Sequence, residues 1–518
     1  MRRRVSLLLL VLLVGACGGQ PLGGHPDASA RIALGSPAEI DPARTGDAES
    51  SAVIAQLFET LTTFDESLEL RPALAESWRV EDGGRRVVFT LRPDLTFSDG
   101  TPLRATDVVR SWLRVMDPAD PSPLISLLAD VQGATAYADG EGSTDDVGVR
   151  ADDGARQVTV DLERAAADFP AIVTSPTFAV VPPTIDAADG LSASDGFVGS
   201  GGYRLVSENA SEMTLKANPH YWAGPPSIPT VTLVTGLSGE SPVDRFQAND
   251  LDYVSVGGED ARWIAYDAAL GPRLLRVPSM STDFYGFDTS RPPFDDVRVR
   301  QAFGAAVDWR RIARLAVDDA AAVATSMVPP GIPDRTDRDM LPVHDPDAAR
   351  ALLAEAGYRS GNGFPKVTLV TGGSPYDEAI VTELERELGI RIDQETMDFD
   401  DYFDRLETDP PQMWFLSWVA DYPARNDFLG VLLRSDSVNN YGHWASPEFD
   451  AALAQAGSTT DPAAVDAAYD TAEGIIQRDV PVIPMSYGTG WALARHGLLG
   501  AGQNGLGSMR LAGLAWAP

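Results

Sequence analysis

Cysteine is almost absent from this chain: one occurs in 518 residues, at Cys17. It has no disulfide partner in its own chain, and a body without cysteine argues against a zinc site built from Cys and His. Lysine is nearly as scarce, at Lys216 and Lys366 only, so almost every basic group is arginine. Acidic residues outnumber basic ones 75 to 41, a net charge of −34. That surplus argues against nucleic acid as a partner, because phosphate neutralisation needs Lys and Arg. The five histidines (His25, His220, His344, His443 and His496) form no HxxxH or HExxH pair. No G-x-S-x-G elbow and no Walker A loop occurs. Gly500, Gly502 and Gly505 fit G-x-G-x-x-G but lie near the C-terminus outside any βαβ unit, and read as a glycine-rich loop. Nothing here asks for an enzyme, and no cofactor or metal is called for.

Long apolar runs are missing too, except at the start. Arg2, Arg3 and Arg4 precede the apolar run Leu7 to Val14, followed by the small residues Gly15 and Ala16. That is the layout of an export signal, its apolar run far short of the roughly 20 residues a bilayer span needs. Val14-Gly15-Ala16-Cys17 resembles a bacterial lipobox, whose cysteine becomes the lipidated first residue of the mature protein. An ordinary secretory signal with an incidental cysteine is the alternative. Residues 1–17 are therefore expected to be a lipoprotein signal peptide ending at a lipidated Cys17, and 18–29 a flexible tether rich in Gly, Pro, Asp and Ser. The body is expected to be exported and lipid-anchored on the outer face of the cytoplasmic membrane.

With 44% hydrophobic residues, the body is long enough for two or three domains. The charge surplus has two readings, compositional bias and the steering of cationic ligands. Val87–Leu91, Tyr203–Leu215 and Val231–Thr235 read as strand segments, and Asp107–Met116 as a helix capped by Thr106 or Asp107. Val299–Val317 reads as one helix, and Asp347–Ala356 as another stopped by Gly357. Strands at Val367–Thr371, Ile390–Met397 and Met413–Trp418 alternate with helices at Glu378–Leu388 and Tyr402–Leu406. Alternation of this kind predicts an α/β layer with a largely parallel sheet, whose ligands sit beyond the strands' carboxyl ends.

Several strings then match one family. They are Gln56-Leu57-Phe58-Glu59-Thr60-Leu61, Pro72 to Trp78, Phe97-Ser98-Asp99-Gly100-Thr101-Pro102, Asn218-Pro219-His220-Tyr221-Trp222, Pro293 to Phe303 and Asp345 to Tyr358. In this order, from about Ile32 to Tyr487, they resemble extracellular solute-binding proteins of family 5, the dipeptide-, oligopeptide- and nickel-type receptors of ABC importers. Most of these residues have structural roles of their own. Asp99-Gly100 suits a tight turn, and Trp78 and Trp222 suit a core.

The resemblance implies an α/β, two-lobed, three-domain, periplasmic-binding-protein-like (class II) hinge fold with mixed β-sheets. It places domain I at 30–55, 185–270 and 485–518, the small domain II at 56–184, and domain III at 271–484, with hinges near Val277–Phe287 and Ile483–Tyr487. It implies a monomer that binds a short peptide and delivers it to a permease served by ATPase subunits. Its ligand strand corresponds to Trp414-Phe415-Leu416-Ser417-Trp418, followed by Asp421 and Tyr422, with Asp421 taking the peptide's α-ammonium group. Trp414, Leu416 and Trp418 share one face by alternation, either as pocket wall or as core. A second wall is expected at Gly46, Asp47 and Ala48, with Leu124 nearby and Arg425 as a candidate for a ligand carboxylate. The chain departs from the family where Pro423-Ala424-Arg425-Asn426-Asp427 follows Tyr422, and where Leu124 follows Ser122-Pro123. A non-peptide solute such as a metal chelate or sugar, a sensor role and a lipid-anchored extracellular enzyme remain the alternatives.

Overall fold

The computed structural model describes residues 29–518 apart from 66, 186–196, 238, 317–321, 337, 503–504 and 506–508. Cys17, the signal peptide and nearly all of the tether lie outside the described residues. Two long strands, Leu274–Phe287 and Val482–Ala494, run antiparallel through the middle of one sheet. On one side that sheet continues through Met413–Val419, Val367–Thr371 and Ile392–Thr396. On the other it continues through Tyr253–Val256, Ala30–Ala33, Thr230–Val234, Glu212–Ala217 and Tyr203–Glu208. The crossing strands break register between Pro278 and Thr282, where Pro278 opposes Thr489 and Thr282 opposes Tyr487. The sheet is thus two half-sheets joined through one irregular pair.

The mixed α/β architecture is the expected one, but parallel pairing is confined to two places. Val367–Thr371 is parallel to Ile392–Thr396 and Met413–Val419, and Ala30–Ala33 to Thr230–Val234 and Tyr253–Val256. The remaining ladders of this sheet are antiparallel. The reason is local: only the segments joined through helices can return in the same direction. Val299–Val317 divides into helices Val297–Ala306 and Trp309–Ala316. Val307 is extended, and Asp308 Oδ1 accepts the Arg311 N–H at 3.0 Å to begin the second helix. Helix Pro346–Glu355 starts on Asp345, whose carboxylate accepts from Ala348 N–H, and Gly357 follows at φ +101°.

A separate sheet of Ala75–Glu81, Arg86–Leu91, Gln157–Asp161 and Val149–Asp152 carries the segment between the half-sheets. Val87, Phe89, Val158 and Val160 point inward at alternate positions. Helix Ala105–Val115 covers them with Val108, Trp112 and Val115. The helix starts one residue before the expected caps, since Asp107 accepts the Arg104 N–H at 2.8 Å. Trp112 lies edge-on to Phe178 and Phe169, and its indole N–H donates to the Phe178 carbonyl at 3.0 Å.

Two of the strings that carry the family resemblance, those holding Glu59 and Tyr221-Trp222, meet at one polar node. Glu59 is 1% exposed, and its Oε2 accepts from the Tyr221 hydroxyl at 2.6 Å and the Trp222 indole at 3.1 Å. Its Oε1 takes Arg510 at 2.7 Å, while Arg92 lies 4.2 Å over the Trp222 ring. Trp78 and Trp222 are half-buried at the edge of the core instead of inside it. The Asp99-Gly100 turn forms as expected, closed by Phe97 N–H to Thr101 O at 2.8 Å with Gly100 at φ +86°. Glu59→Ala strands buried donors from three side chains and is expected to destabilise the protein by about 3–5 kcal/mol. Glu59→Gln keeps an acceptor and should lose clearly less, a ranking that urea unfolding measures.

Candidate functional site

The site begins with strand Met413–Val419. Its apolar and aromatic residues suit a buried strand, and all seven pair with Ser281–Phe287. On its other edge only Met413 and Trp414 meet Val367–Thr371, so Leu416 to Val419 run past the end of that neighbour. The strand also climbs from core to surface. Trp414 and Leu416 are each 3% exposed, whereas Val419 is 50% exposed and Ser417 is exposed as well. Trp414 packs edge-on against Phe284 and Tyr441, in space left by the absent side chain of Gly286. Trp414 and Leu416 are therefore core residues in this structure. Phe415 lies on the opposite face, against Tyr285 and Tyr376.

Beyond the strand, Ala420 N–H donates to the Met280 carbonyl at 2.8 Å, and Met280 N–H to Gly505 O at 2.6 Å. The strand's end is thereby tied to the register break of the crossing strands and to the glycine-rich C-terminal loop. Asp421 follows, half-buried. Among the described residues none donates a hydrogen bond to its carboxylate or pairs with it, and burial pushes its carboxyl up to about 6. Tyr422 is fully buried, and its side chain joins the core of the separate four-stranded sheet. The Asn426 amide donates to its hydroxyl at 3.0 Å.

Two acids that sequence reasoning missed stand close by. Asp427 is 0% exposed; its Oδ2 accepts the Trp418 indole N–H at 2.9 Å, and its buried Oδ1 has no partner. Burial first, then the charge of Asp421, push its carboxyl well above the usual range. Asp168 arrives from the other lobe with a buried, unpartnered Oδ2, and burial pushes it up to about 6. Asp427 lies in the very segment where the chain departs from the family, which was a legible signal. Asp168 is one aspartate in a loop and carried none.

Arg425 points elsewhere. It is 5% exposed, paired with Asp466 and 4.6 Å over the Tyr469 ring. Nearby on helix Pro462–Asp479, Glu473 is 0% exposed with neither carboxylate oxygen partnered, and burial pushes it up to about 7.

The second wall is pinned to the separate sheet's lobe. Asp41, fully buried, takes Arg114 in a bidentate pair at 2.6 and 3.1 Å. A side chain on Gly46 would come within 2.8 Å of Pro123, so the loop lies flat on the Ser122-Pro123 turn. Leu124 follows that turn, half-buried on the same core that receives Tyr422. Asp47 caps helix Ala48–Leu57 by accepting the Ser50 N–H at 2.8 Å, and Ala48 is that helix's first residue. The structure thus brings Leu124 and Tyr422 to one core with Gly46 on the adjoining Pro123, and the segment of Trp418 and Asp421 to the buried acid Asp427. Opposed lobes touch at Ala167 N–H to Gly457 O, 2.9 Å, and through Arg164 and Arg434, which share Asp130 and Asp436. Gly84 and Gly457 permit that approach, since a side chain on Gly84 would lie 2.3 Å from Gly457 O.

Residues 69–440 match the family model described as bacterial extracellular solute-binding proteins, family 5 Middle. The chain is 31% identical over 467 residues to the probable deoxycholate-binding periplasmic protein YgiS of Escherichia coli K12, covering 87% of this chain and 86% of that protein. It is 27% identical to the periplasmic murein peptide-binding protein MppA of the same strain, with coverage of 90% and 88%. The unliganded open form of MppA superposes with a TM-score of 0.79 at 26% identity, covering 95% of this chain and 98% of that one. These likenesses place the fold among the class II periplasmic-binding-protein-like hinge folds.

Burial of Glu473 has a consequence for stability. Its folded-state value of about 7 lies above that of an unfolded chain, so its contribution is present at acid pH and lost as pH rises toward 7. Glu473→Gln should match the wild type at pH near 5 and exceed it near pH 8 by up to about 3 kcal/mol in denaturant unfolding. Equal stability of the two proteins at both values contradicts the buried-acid account.

Proposed function

The chain belongs to the bacterial extracellular solute-binding proteins of family 5, and on that premise we propose that it is a membrane-anchored receptor for short peptides. The family is one of binding proteins, and the relatives named above are binding proteins rather than enzymes. The observation that carries the peptide reading is Asp421: a half-buried carboxylate, without a cation among the described residues, at the end of a strand with a free edge. An extended peptide adds to such an edge through main-chain hydrogen bonds, which are indifferent to side-chain sequence. Asp421 then fixes direction by a charge-assisted bond to the α-ammonium group.

In this reading the lobes correspond to the three domains drawn from the resemblance, and the crossing strands Leu274–Phe287 and Val482–Ala494 flex at their register break. The closed, loaded form is handed to an ABC permease. Lipid on Cys17 keeps the receptor near that permease, on the outer face of the cytoplasmic membrane. A second reading, an anionic amphiphile, is raised by the name of YgiS. The carboxylates Asp421, Asp427 and Asp168 at this end of the cleft oppose it, because an anion there meets like charge.

Mass spectrometry of ligands released from the purified protein separates the two readings: short peptides support the first, and deoxycholate-like acids alone overturn it. In calorimetry, tri-alanine is expected to bind the wild type and to weaken about 10- to 100-fold in Asp421→Asn, the loss of one hydrogen bond to a charged group. N-acetylation of the peptide should cost as much; an acetylated peptide that binds equally well removes Asp421 from the amine-binding role. Cys17→Ser is expected to move the protein from the membrane to the soluble fraction with peptide affinity unchanged. Membrane fractionation and calorimetry read the two parts separately.

A further inference from the structure

Asp427 is the residue of this region that peptide recognition leaves unexplained. A lone amine needs one carboxylate, yet the chain turns back after Asp421 to set a second against Trp418, three residues before the first, with no exposure to solvent and one oxygen unpartnered. Its other oxygen holds the indole of Trp418, the last aromatic of the ligand strand. Among the described residues, the groups around the pair supply no free cation. From the strand comes Trp418, and from the following loop come Asp421 and Tyr422. Helix Arg425–Leu433 offers Asn426, which donates to Tyr422, and Arg425, which is committed to Asp466 and the Tyr469 ring. Next to Tyr422 stand Tyr469 of helix Pro462–Asp479 and Asp168 of the opposite lobe, the latter with Asp130 and Arg434 near it, while Glu473 of the same helix lies by Arg425.

We propose that Asp427 is a positioning residue for the ligand's cationic end: with Asp421 it forms a buried carboxylate pair that holds a proton while the cleft is empty and releases it when an ammonium group docks. Two ionised carboxylates in a shared site without a cation repel, so one of them retains a proton. An ammonium group on Asp421 neutralises one charge and favours ionisation of the pair, and the displaced proton passes to solvent. Binding of a cation therefore strengthens with rising pH, by up to about tenfold per unit across the pair's titration range, the slope for one proton. A neutral or anionic end cannot displace the proton, and the pair acts as a filter for amines. The neighbouring acids and the upward shifts of both carboxyls support this arrangement.

The proposal rests on the peptide reading only for its second test. The first uses the ligand-free full chain labelled with nitrogen-15 tryptophan, the Trp418 indole resonance being assigned with Trp418→Phe. That resonance is expected to titrate above the usual carboxylate range, to stop titrating in Asp427→Asn, and to titrate at lower pH in Asp421→Asn. A flat wild-type resonance, or one unchanged in Asp427→Asn, overturns the proposal. The second test is calorimetry with tri-alanine at a pH near the Asp421 value of about 6, in two buffers of different ionisation enthalpy. About one proton is expected to leave the wild type per peptide bound, and markedly less to leave Asp427→Asn, whose affinity should no longer rise with pH. Peptide binding without proton release, or with equal release by both proteins, is the contrary result. Should the wild type bind no tripeptide, the peptide reading falls, and the ligand-free titration alone decides whether the pair exists.

Discussion

The antiparallel pairing of Leu274–Phe287 with Val482–Ala494 is the constraint on which the rest of this molecule is hung. Each strand belongs to both half-sheets, so the lobes share backbone hydrogen bonds instead of meeting only through side chains. A ladder continued without fault across that boundary would make the lobes one stiff body. The register break between Pro278 and Thr282 interrupts it. Thr282 and Tyr487 beside the break are then held from one side: Thr282 donates to Met327 O at 2.9 Å, and the Tyr487 hydroxyl accepts from Ser326 N–H at 3.0 Å. The half of each strand nearest the ligand strand is thus anchored, and freedom is concentrated at the irregular step. The Met280 carbonyl at this step is the acceptor for Ala420, the residue before Asp421, so the carboxylate proposed to bind the amine and the irregular step share one hydrogen-bonded path.

Charge organises the site differently from the rest of the surface. Many surface acids are met by arginine, as in Arg350 with Glu387 and Arg86 with Asp161. Such exposed pairs contribute little each and chiefly keep a strongly acidic chain from repelling itself. In the cleft the pattern reverses. Asp41 has Arg114, but among the described residues no arginine pairs with Asp421 or Asp427, and Arg425 on the helix that follows is turned toward Asp466. Holding that arginine away leaves the acids uncompensated within the described residues. This local arrangement gives the proposed cation preference a structural basis that the overall net charge cannot supply, since solvent screens distant charges beyond about 8–10 Å.

Much of this was legible in the sequence, and the remainder failed for identifiable reasons. Val367–Thr371 and the Gly357 stop follow from local patterning, because strand alternation and a left-handed glycine depend on a few adjacent residues. The division of Val299–Val317 was missed because Val307 suits a helix by its neighbours and is extended here only where Asp308 N–H meets Glu383. The family strings were readable as strings, but the meeting of two of them at Glu59 was not, nor that Arg510 reaches it from the far end of the chain. Trp414 and Leu416 were placed on one face correctly by alternation, yet alternation cannot say that their face is core, as Phe284 and Tyr441 decide. Asp168 was invisible for the same reason, since its importance comes from a helix in another lobe.

The energetics explain why the cleft uses backbone edge and carboxylate together. Moving a two-state closure from 1:99 to 99:1 requires about 5.5 kcal/mol of preference for the closed form. A peptide hydrogen bond contributes a net amount of about 0.5–1.5 kcal/mol, and one to a charged group about 1.5–3 kcal/mol. Two or three strand-edge bonds alone fall short, and the amine contact alone falls short. Their sum spans the requirement, and a desolvated amine contact, which the half-buried Asp421 would offer, brings it to the upper part of that range. The same burial disfavours an ionised carboxylate in the empty protein, so part of the ion-pair energy is consumed in removing a proton. Proton retention is therefore the necessary counterpart of a strong amine site. It weakens binding at low pH, and it also keeps an empty cleft from holding two like charges side by side.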